Sequence, residues 1–146
     1  MDKIQLQIIG TNDALYVKVL ALRDAVLRKP IDLCLFTEDL SGEVAETIII
    51  ILSDENVIGC GMLKCLSPEE MQLRQMAVDK AFQGLGIGRM LVAEAELLAK
   101  KSGAKSLLLH ARQTAIPFYE KCGYSATGAA FTEVGIPHLL MKKELA

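Results

Sequence analysis

The sequence predicts an α/β (α+β) fold in which a mixed sheet of six to seven strands carries helices on its faces. Three observations lead to this class. The chain has 146 residues and is 51% hydrophobic, which suffices for one buried core. Its hydrophobic period changes repeatedly between that of a strand and that of a helix. No repeat, low-complexity segment or linker interrupts it, so residues 1–146 are expected to form a single domain.

The first half of the chain predicts a strand, a helix and a β-hairpin. Alternation of apolar and polar residues over 3–9 indicates a strand. Residues 13–28 then show the helical period, with Asp13 as a candidate cap at the start. Two β-branched or alternating runs follow, separated by a short turn that is typical of a hairpin: residues 46–53 and 56–66.

The second half adds two helices and four strands. A turn at 67–70 leads into a third consecutive strand that ends at Val78. A helix that follows a glycine-rich segment precedes the strand 106–111, and a short helix over 115–122 precedes a final strand pair within 124–143. The predicted order is therefore βαβββαβαββ. Because a strand–helix–strand unit crosses over between parallel strands, the sheet is expected to be mixed.

Composition excludes several classes of function. The formal net charge is −2, the pI is near 5.7, and the basic residues are scattered, which argues against a nucleic-acid surface. No apolar run approaches the roughly 18 residues of a membrane span, and the start lacks the features of a signal peptide, so we expect a cytoplasmic protein without membrane contact. Four cysteines without a CxxC pair and two histidines offer few metal ligands. We therefore expect no metal and interpret the cysteines as free, buried thiols.

The most informative stretch is QGLGIG, residues 83–88, which runs directly into a helical pattern. It is not a P-loop, and it is not a dinucleotide fingerprint because Arg89 occupies the place of the third glycine. Bare backbone at a helix start exposes unpaired N–H groups and the positive end of the helix dipole, which favour an anion. The same glycines would also suit a tight strand-to-helix turn with no ligand. The glycines alone do not decide between these interpretations.

The segments around these glycines share their order and spacing with a known family. QGLGIG matches the signature Q/R-x-x-G-x-G/A, the strand LRQMAV precedes it, and LLLHAR and AIPFYEKCGY follow it. On these motifs the chain resembles the GNAT superfamily of N-acetyltransferases, most clearly over residues 73–124. The C-terminal FTEVGIPHLLMKK is similar to a branch of small bacterial members. The resemblance implies the GNAT fold, whose sheet splays between its two central parallel strands.

The resemblance implies acetyl-CoA as the cosubstrate, bound in the cleft between the splayed strands. The glycine loop would hold the pyrophosphate, and the end of the preceding strand would pair with the pantetheine arm as with an added strand. Arg112 stands where many members have an asparagine. The cofactor-binding residues implied are Met76, Ala77, Val78, Gln83, Gly84, Leu85, Gly86, Ile87, Gly88, Arg89, Arg112 and Phe118.

The resemblance also implies direct attack of an amine on the thioester, without a covalent enzyme intermediate. Tyr119 stands at the position of the family's general acid, and a phenol with the usual pKa near 10 is protonated at neutral pH. The general base is unassigned, with Glu133 and His138 as the first candidates and Glu70 as the third. The function implied is N-acetylation of a primary amine. The alternative is a CoA-binding sensor or interaction module that keeps the fold without turnover.

The sequence does not identify the acceptor, which we expect to be a small-molecule or peptide amine. Exposed strand edges and the C-terminal hairpin are compatible with a homodimer. Three further side chains have structural interpretations. Cys122 is interpreted as a core thiol, His110 as a hydrogen-bonded core residue, and Arg28 as a charge that satisfies carbonyls at a helix end.

Overall fold

Seven strands and three α-helices follow one another in the predicted order in the computed structural model, which describes residues 3–146. The strands are β1 (Ile4–Ile9), β2 (Thr47–Ser53), β3 (Asn56–Ser67), β4 (Glu70–Val78), β5 (Ser106–Arg112), β6 (Ser125–Glu133) and β7 (Ile136–Glu144). The helices are α1 (Tyr16–Arg23), α2 (Ile87–Lys101) and α3 (Ile116–Lys121).

The sheet is mixed, as predicted, and it opens at its centre. Its order is β1-β2-β3-β4-β5-β7-β6, and every neighbouring pair is antiparallel except β4 and β5. The parallel pairing of β4 with β5 begins at Glu70 opposite Ser106 and ends at Leu73 opposite Leu109. Both strands continue beyond these residues without pairing to each other. They therefore splay, and a cleft opens between Val78 and the end of β5.

Helices cover both faces of the sheet, and the sheet separates the hydrophobic core into two parts. One face carries α2 and α3, and its core includes Ile49 and Ile51 of β2. The other face carries α1, and its core includes Ile48 and Ile50 of the same strand. Successive side chains of a strand point to opposite faces. An unbroken apolar run such as that of β2 therefore suits a strand that is covered on both sides.

The first helix is shorter than its sequence period predicts. Only Tyr16–Arg23 is α-helical, and a π-helical turn, Asp24–Arg28, follows it. Asp13 accepts a hydrogen bond from the Leu15 N–H at 2.8 Å, so the predicted cap acts on the turn before α1. In the π-helical turn, Asp24 is buried and accepts a hydrogen bond from the Leu35 N–H at 2.9 Å. This tertiary contact has no signature in the helical period.

A buried ion pair anchors the segment between α1 and β2. The Arg23 guanidinium donates two hydrogen bonds of 2.7 Å to the Glu43 carboxylate. The Tyr16 hydroxyl donates a third to the same carboxylate at 2.6 Å. Burial together with this carboxylate raises the pKa of Tyr16 to about 12. The segment that lines one side of the central cleft is thus fixed to α1.

The cysteines are free, but only one of them is buried. Cys60 is fully buried, and its burial raises the pKa of its thiol to about 12. Cys34 and Cys65 are exposed, so the expectation of buried thiols is wrong for these two, whereas Cys122 is half-buried and packs against the core as interpreted. Among residues 3–146 no helix is long and apolar enough to cross a membrane.

Candidate functional site

The splayed strands open into a cavity of about 480 Å³, a volume typical of sites for small molecules. Leu27, Arg28 and Glu38 line it from the α1 face of the sheet. Ala115 and Tyr119 line it from the face that carries α2 and α3. The cavity therefore passes through the gap between β4 and β5, and two ligands could meet in it from opposite faces.

A bulge in β4 changes which side chains of this strand face α1 and which face α2. Gln75 has a positive φ of 53°, and together with Met76 it lies opposite the single residue Gly61 of β3. Before the bulge, Leu73 packs on the α2 face, whereas after it Met76 does so. A Cβ on Gly61 would lie 3.0 Å from the Met76 sulfur, so glycine there makes room for the bulged strand.

The end of β4 presents backbone groups to the cleft. The Asp79 N–H donates to the Ile58 carbonyl of β3 at 2.8 Å. Because alternate residues direct their backbone groups to opposite edges, the N–H and C=O of Val78 point away from β3 and into the cleft. The Val78 carbonyl accepts a hydrogen bond from Gln83 Nε2 at 3.1 Å. An extended ligand could pair with this edge, as the resemblance implies.

The loop before α2 is rich in unpaired backbone donors. Gly84 and Gly86 have φ values of 80° and 84°, and a Cβ on either would meet nothing within 4 Å. Glycine is therefore required at both positions by conformation and not by space. Within residues 3–146, no backbone acceptor takes a hydrogen bond from the N–H groups of residues 84–89, and the first helical bond runs from Met90 to Gly86. These donors suit an anion at the start of α2.

Gly88 has a different reason to be glycine. A Cβ at this position would lie 3.0 Å from Cζ and 3.3 Å from Cε1 of the Phe118 ring. The residue is therefore small because α3 packs closely against the start of α2. The packing of Phe118 explains why residue 88 is glycine, while the backbone N–H of Gly88 remains among the unpaired donors at the start of α2. The Phe118 ring packs against Gly88 at the start of α2. It also contacts the Tyr119 ring edge-on, with the two ring centroids 5.0 Å apart.

Tyr119 lines the cavity from the face that carries α2 and α3. Its residue is 7% exposed, and its ring packs edge-on against Phe118 at 5.0 Å and Tyr124 at 6.1 Å. Among the described residues, none forms a hydrogen bond with its hydroxyl, although the residue lines the cavity. Burial raises the pKa of Tyr119 above its ordinary value of 10.0. The phenol is therefore protonated throughout the neutral range.

The Glu133 carboxylate contacts two histidines that also line the cavity. Its Oε1 lies 2.9 Å from Nδ1 of His110, and its Oε2 lies 3.7 Å from Nε2 of His138. The Phe131 ring stacks on His138 and meets His110 edge-on. Nδ1 of His138 lies 3.0 Å from the Ile136 carbonyl, which only accepts hydrogen bonds. In a neutral His138 the proton therefore sits on Nδ1, and Nε2 carries a lone pair towards the cavity.

The structure contradicts two of the sequence interpretations, those of His110 and Glu70. His110 is not a core residue, because its side chain is 33% exposed and faces the cavity. Its neighbours Leu109 and Ala111 pack under α2, so alternation along β5 turns His110 to the opposite face. Glu70 cannot be the base, because it contacts Ser106 and Lys142 at the paired end of the sheet, far from the cleft.

Arg112 lies on the α1 face and not beside the glycine loop. Its guanidinium donates to the Leu27 carbonyl at 2.6 Å. Burial and the nearby charge of Arg28 lower the pKa of Arg112, and the carboxylate of Glu133 opposes this effect. This position argues against the cofactor-binding role that we predicted for Arg112, and it sets Arg112 beside Leu27 and Arg28 on the α1 side of the cavity.

Arg28 satisfies a helix carbonyl only in part. Its NH1 group lies 3.3 Å from the Leu27 carbonyl, but its main partner is Glu38, at 2.6 Å from Nε and 3.2 Å from NH2. Arg28 is buried and lines the cavity. The predicted role as a helix-end charge is thus secondary to an ion pair at the site.

Sequence reasoning missed several residues of the site. Arg74 lines the cavity and forms an ion pair with Glu46, in which NH1 of Arg74 lies 2.6 Å from Oε1 of Glu46. Glu38 also lines the cavity and is the ion-pair partner of Arg28. No motif marks these residues, and the one signal in the sequence is alternation in β4, which sets Gln72 and Arg74 on one face. Within residues 3–146 no group of three or more His, Cys, Asp or Glu side chains is arranged to hold a metal ion.

Comparison with known proteins agrees with this geometry. The family profile described as an acetyltransferase (GNAT) domain matches residues 26–145. YjcF of Bacillus subtilis, named as an uncharacterised N-acetyltransferase, is 31% identical over 97 residues, which are 66% of this chain and 69% of that protein. The matched segments span 66%, 50% and 69% of three curated relatives, so the chain covers about half to two thirds of their length.

Two solved structures share the fold over nearly the whole chain. A candidate N-acetyltransferase from Lactobacillus plantarum superposes with a TM-score of 0.88 and 25% identity, covering 99% of this chain and 100% of that one. A GNAT family acetyltransferase from Elizabethkingia anophelis, solved with acetyl-CoA bound, superposes with a TM-score of 0.73 and 22% identity, covering 99% and 100%.

Proposed function

The chain belongs to the GNAT acetyltransferase family, and on that premise we propose that it transfers an acetyl group from acetyl-CoA to a primary amine. One observation carries this proposal. The unpaired N–H groups of residues 84–89 lie at the start of α2, and residues 79–86 connect this helix to the open edge of β4. A cosubstrate with a diphosphate and an extended arm needs both features, in this order along the chain.

The residues present fit acetyl-CoA. The loop Gln83–Arg89 would bind the diphosphate through its backbone, and the Arg89 side chain would add a positive charge. The open edge at Met76 and Val78 would bind the extended arm, and the Val78 N–H would stabilise negative charge on the thioester oxygen. The Elizabethkingia relative was solved with acetyl-CoA bound, which supports this assignment.

Tyr119 is the proposed general acid. When bound, acetyl-CoA supplies an acetyl group that is activated as a thioester. Tyr119 would donate a hydrogen bond, and finally its proton, to the departing sulfur. A thiol has a pKa of about 8.5, below that of the buried phenol, so complete proton transfer is uphill. The hydroxyl would therefore act chiefly as a donor to the negative charge that develops on sulfur.

The cluster of Glu133, His110 and His138 is the proposed acceptor site. An incoming ammonium must lose a proton before it can attack, and an imidazole changes its charge near neutral pH. Nε2 of His138 and the carboxylate of Glu133 both face the cavity from the side opposite Tyr119. The amine would therefore approach from the α1 face while the thioester approaches from the α2 face.

The proposed function is tested by thiol release. The protein is incubated with acetyl-CoA and pools of primary amines, and free CoA is measured together with the mass of each amine. We expect CoA release that depends on the amine, with an equal amount of a product heavier by one acetyl group. Acetyl-CoA binding without release in any pool would instead support the sensor or interaction module.

Replacing Gly86 with valine should weaken acetyl-CoA binding by about tenfold or more. A β-branched residue is strained at a φ of 84°, so the loop would shift and its N–H groups would no longer converge. Isothermal titration calorimetry measures the affinity. Gly103→Val is a matched control, because Gly103 has a φ of 92° at the far end of α2 and open space around it. Equal affinities in two folded variants would contradict the loop assignment.

Changes in the acceptor cluster should affect turnover more than cosubstrate binding. We expect Glu133→Gln and His138→Ala to lower kcat/KM for the acceptor by about 10²- to 10⁴-fold for whichever residue is the base. Acetyl-CoA affinity should change little, because the cluster lies on the opposite face from the glycine loop. Glu144→Gln, at an exposed carboxylate near the C-terminus, is the control. Full activity of both variants across the pH range would make the cluster structural.

A further inference from the structure

We propose that the amine acceptor carries a carboxylate close to its amino group, as an amino acid does, and that Arg112 binds this carboxylate. The inference rests on the proposed function, since it names the class of acceptor for the same site. It follows from the charges that remain without an ionic partner on the α1 side of the cavity.

Two of the three arginines that line the cavity already have carboxylate partners. Arg28 forms a two-point ion pair with Glu38 through Nε and NH2, and Arg74 forms an ion pair with Glu46 through NH1. Arg112 takes part in no salt bridge within residues 3–146, and its one hydrogen bond goes to the Leu27 carbonyl. A guanidinium has five N–H donors, so most of those of Arg112 are free.

The anion that remains is Glu133, whose polar contacts within the described residues are with two imidazoles. It is 46% exposed and lines the same cavity as Arg112. An arginine without a hydrogen-bonded carboxylate and a carboxylate held only by imidazoles thus face the same space, and the charge of Glu133 acts on Arg112 across it. Burial of the Arg112 guanidinium is costly, and a ligand carboxylate paired with Arg112, on a molecule whose ammonium pairs with Glu133, would lower that cost.

The spacing of these groups suits one small molecule. His110, which holds Glu133, and Arg112 are two residues apart on β5 and point to the same face, so they are separated by about 7 Å along the strand. Arg112 also lies opposite His138 in the pairing of β5 with β7. The ammonium of a zwitterion would contact Glu133 and the histidines, while its carboxylate would form a forked pair with Arg112.

The same charges disfavour a diamine or polyamine acceptor. Its second ammonium would have to lie near Arg112, whose guanidinium forms no salt bridge with a carboxylate of the described residues. Like charges in a partly desolvated cavity repel each other, so such an acceptor should bind poorly. A preference for diamines is therefore an outcome that the experiment must be able to detect.

The first experiment compares matched acceptors with the wild-type protein. L-phenylalanine is compared with phenethylamine, L-methionine with 3-(methylthio)propylamine, and L-lysine with cadaverine, with acetyl-CoA at saturation. For at least one pair we expect kcat/KM to favour the member with the carboxylate by about tenfold to a hundredfold. Acetylation of the decarboxylated members with equal or higher kcat/KM overturns the inference and leaves the proposed function standing.

The second experiment assigns the preference to Arg112. Arg112→Gln should remove most of the difference within a pair by raising KM for the carboxylate member, and Arg112→Lys should retain only part of it because the forked geometry is lost. Lys101→Gln, at an exposed site on α2, removes the same charge outside the cavity and should preserve the full preference. An unchanged preference in folded Arg112→Gln overturns the role of Arg112. If no amine of either kind is acetylated by the wild-type protein, the proposed function itself fails.

Discussion

Replacing Tyr119 with phenylalanine should lower the turnover number by about 10- to 10⁴-fold while acetyl-CoA affinity stays close to that of the wild type. The change removes only the hydroxyl and keeps the ring, which packs between Phe118 and Tyr124. Folding should therefore be preserved, and the departing sulfur would lose its donor. Single-turnover measurements isolate the chemical step, and calorimetry measures acetyl-CoA binding.

Tyr124→Phe is a matched control for this prediction. The Tyr124 hydroxyl donates to Glu96 at 2.9 Å, and the residue does not line the cavity, so its loss should change stability and not turnover. A Tyr119→Phe protein that turns over at the wild-type rate in the single-turnover assay would show that Tyr119 is only a packing residue.

The pH dependence of the wild type follows from the burial of Tyr119. The phenol acts in its protonated form, which predominates below its pKa. Because burial raises the pKa of Tyr119 above 10.0, ionisation of this residue should cause no loss of turnover below about pH 10. A rate that falls with an apparent pKa well below 10 in the wild type, but not in Tyr119→Phe, would contradict this expectation.

Glu43→Gln should lower the free energy of unfolding by about 3 to 5 kcal/mol. Arg23 is 1% exposed, and its guanidinium would be left buried without a counter-charge. The Tyr16 hydroxyl would lose the same carboxylate partner. Denaturation in urea measures the change. Because Glu43 anchors the segment that carries Glu38 to the cavity, KM for the acceptor should also rise.

Two further variants and the pH dependence make this prediction specific. Glu120→Gln, at an exposed site, should change stability by no more than about 0.5 kcal/mol. Replacing both partners, as in Arg23→Met with Glu43→Leu, should restore part of the loss. An effect of Glu43→Gln below about 1 kcal/mol would mean that the pair contributes little.

Acid should destabilise the wild type more than the Glu43→Gln variant. Burial opposes ionisation of Glu43, but the hydrogen bonds and charge of Arg23 prevail and hold its pKa below the ordinary value of 4.5. A carboxyl with a lowered pKa stabilises the folded state above its unfolded-state pKa and loses this contribution as the pH falls through the folded-state value. The stabilities of the two proteins should therefore converge below pH 4.5.

The order of the elements and the glycine loop that begins a helix could be predicted from the sequence because both are local. A strand or helix shows its period within one continuous segment, and the loop Gln83–Arg89 carries its glycines and its helix start side by side. The resemblance to the family rests on the same contiguous segment. Tyr119 could be named for the same reason, since it lies within the motif AIPFYEKCGY.

Beyond Glu133 and His138, which the sequence analysis named as candidates, the residues of the proposed acceptor side could not be predicted, because they come from distant segments and are brought together by register. The bulge at Gln75 decides which residues of β4 face each side, and a shift of one residue would exchange the two faces. Alternation along β5 likewise turns Arg112 away from the glycine loop and towards Leu27. The period of a strand shows that its residues alternate, but not which set faces which helix.

The sequence by itself determined the family, the order of elements and the glycine loop before α2, since each depends on neighbouring residues and local backbone conformation. The tertiary structure alone decided that Glu133 lies beside His110 and His138, and it alone gives the reason for Gly88. Glu133 meets His110 only because β7 pairs with both β5 and β6, and Gly88 is small only because the Phe118 ring packs against it. Such contacts between distant segments arise from packing and strand register, which no single segment encodes.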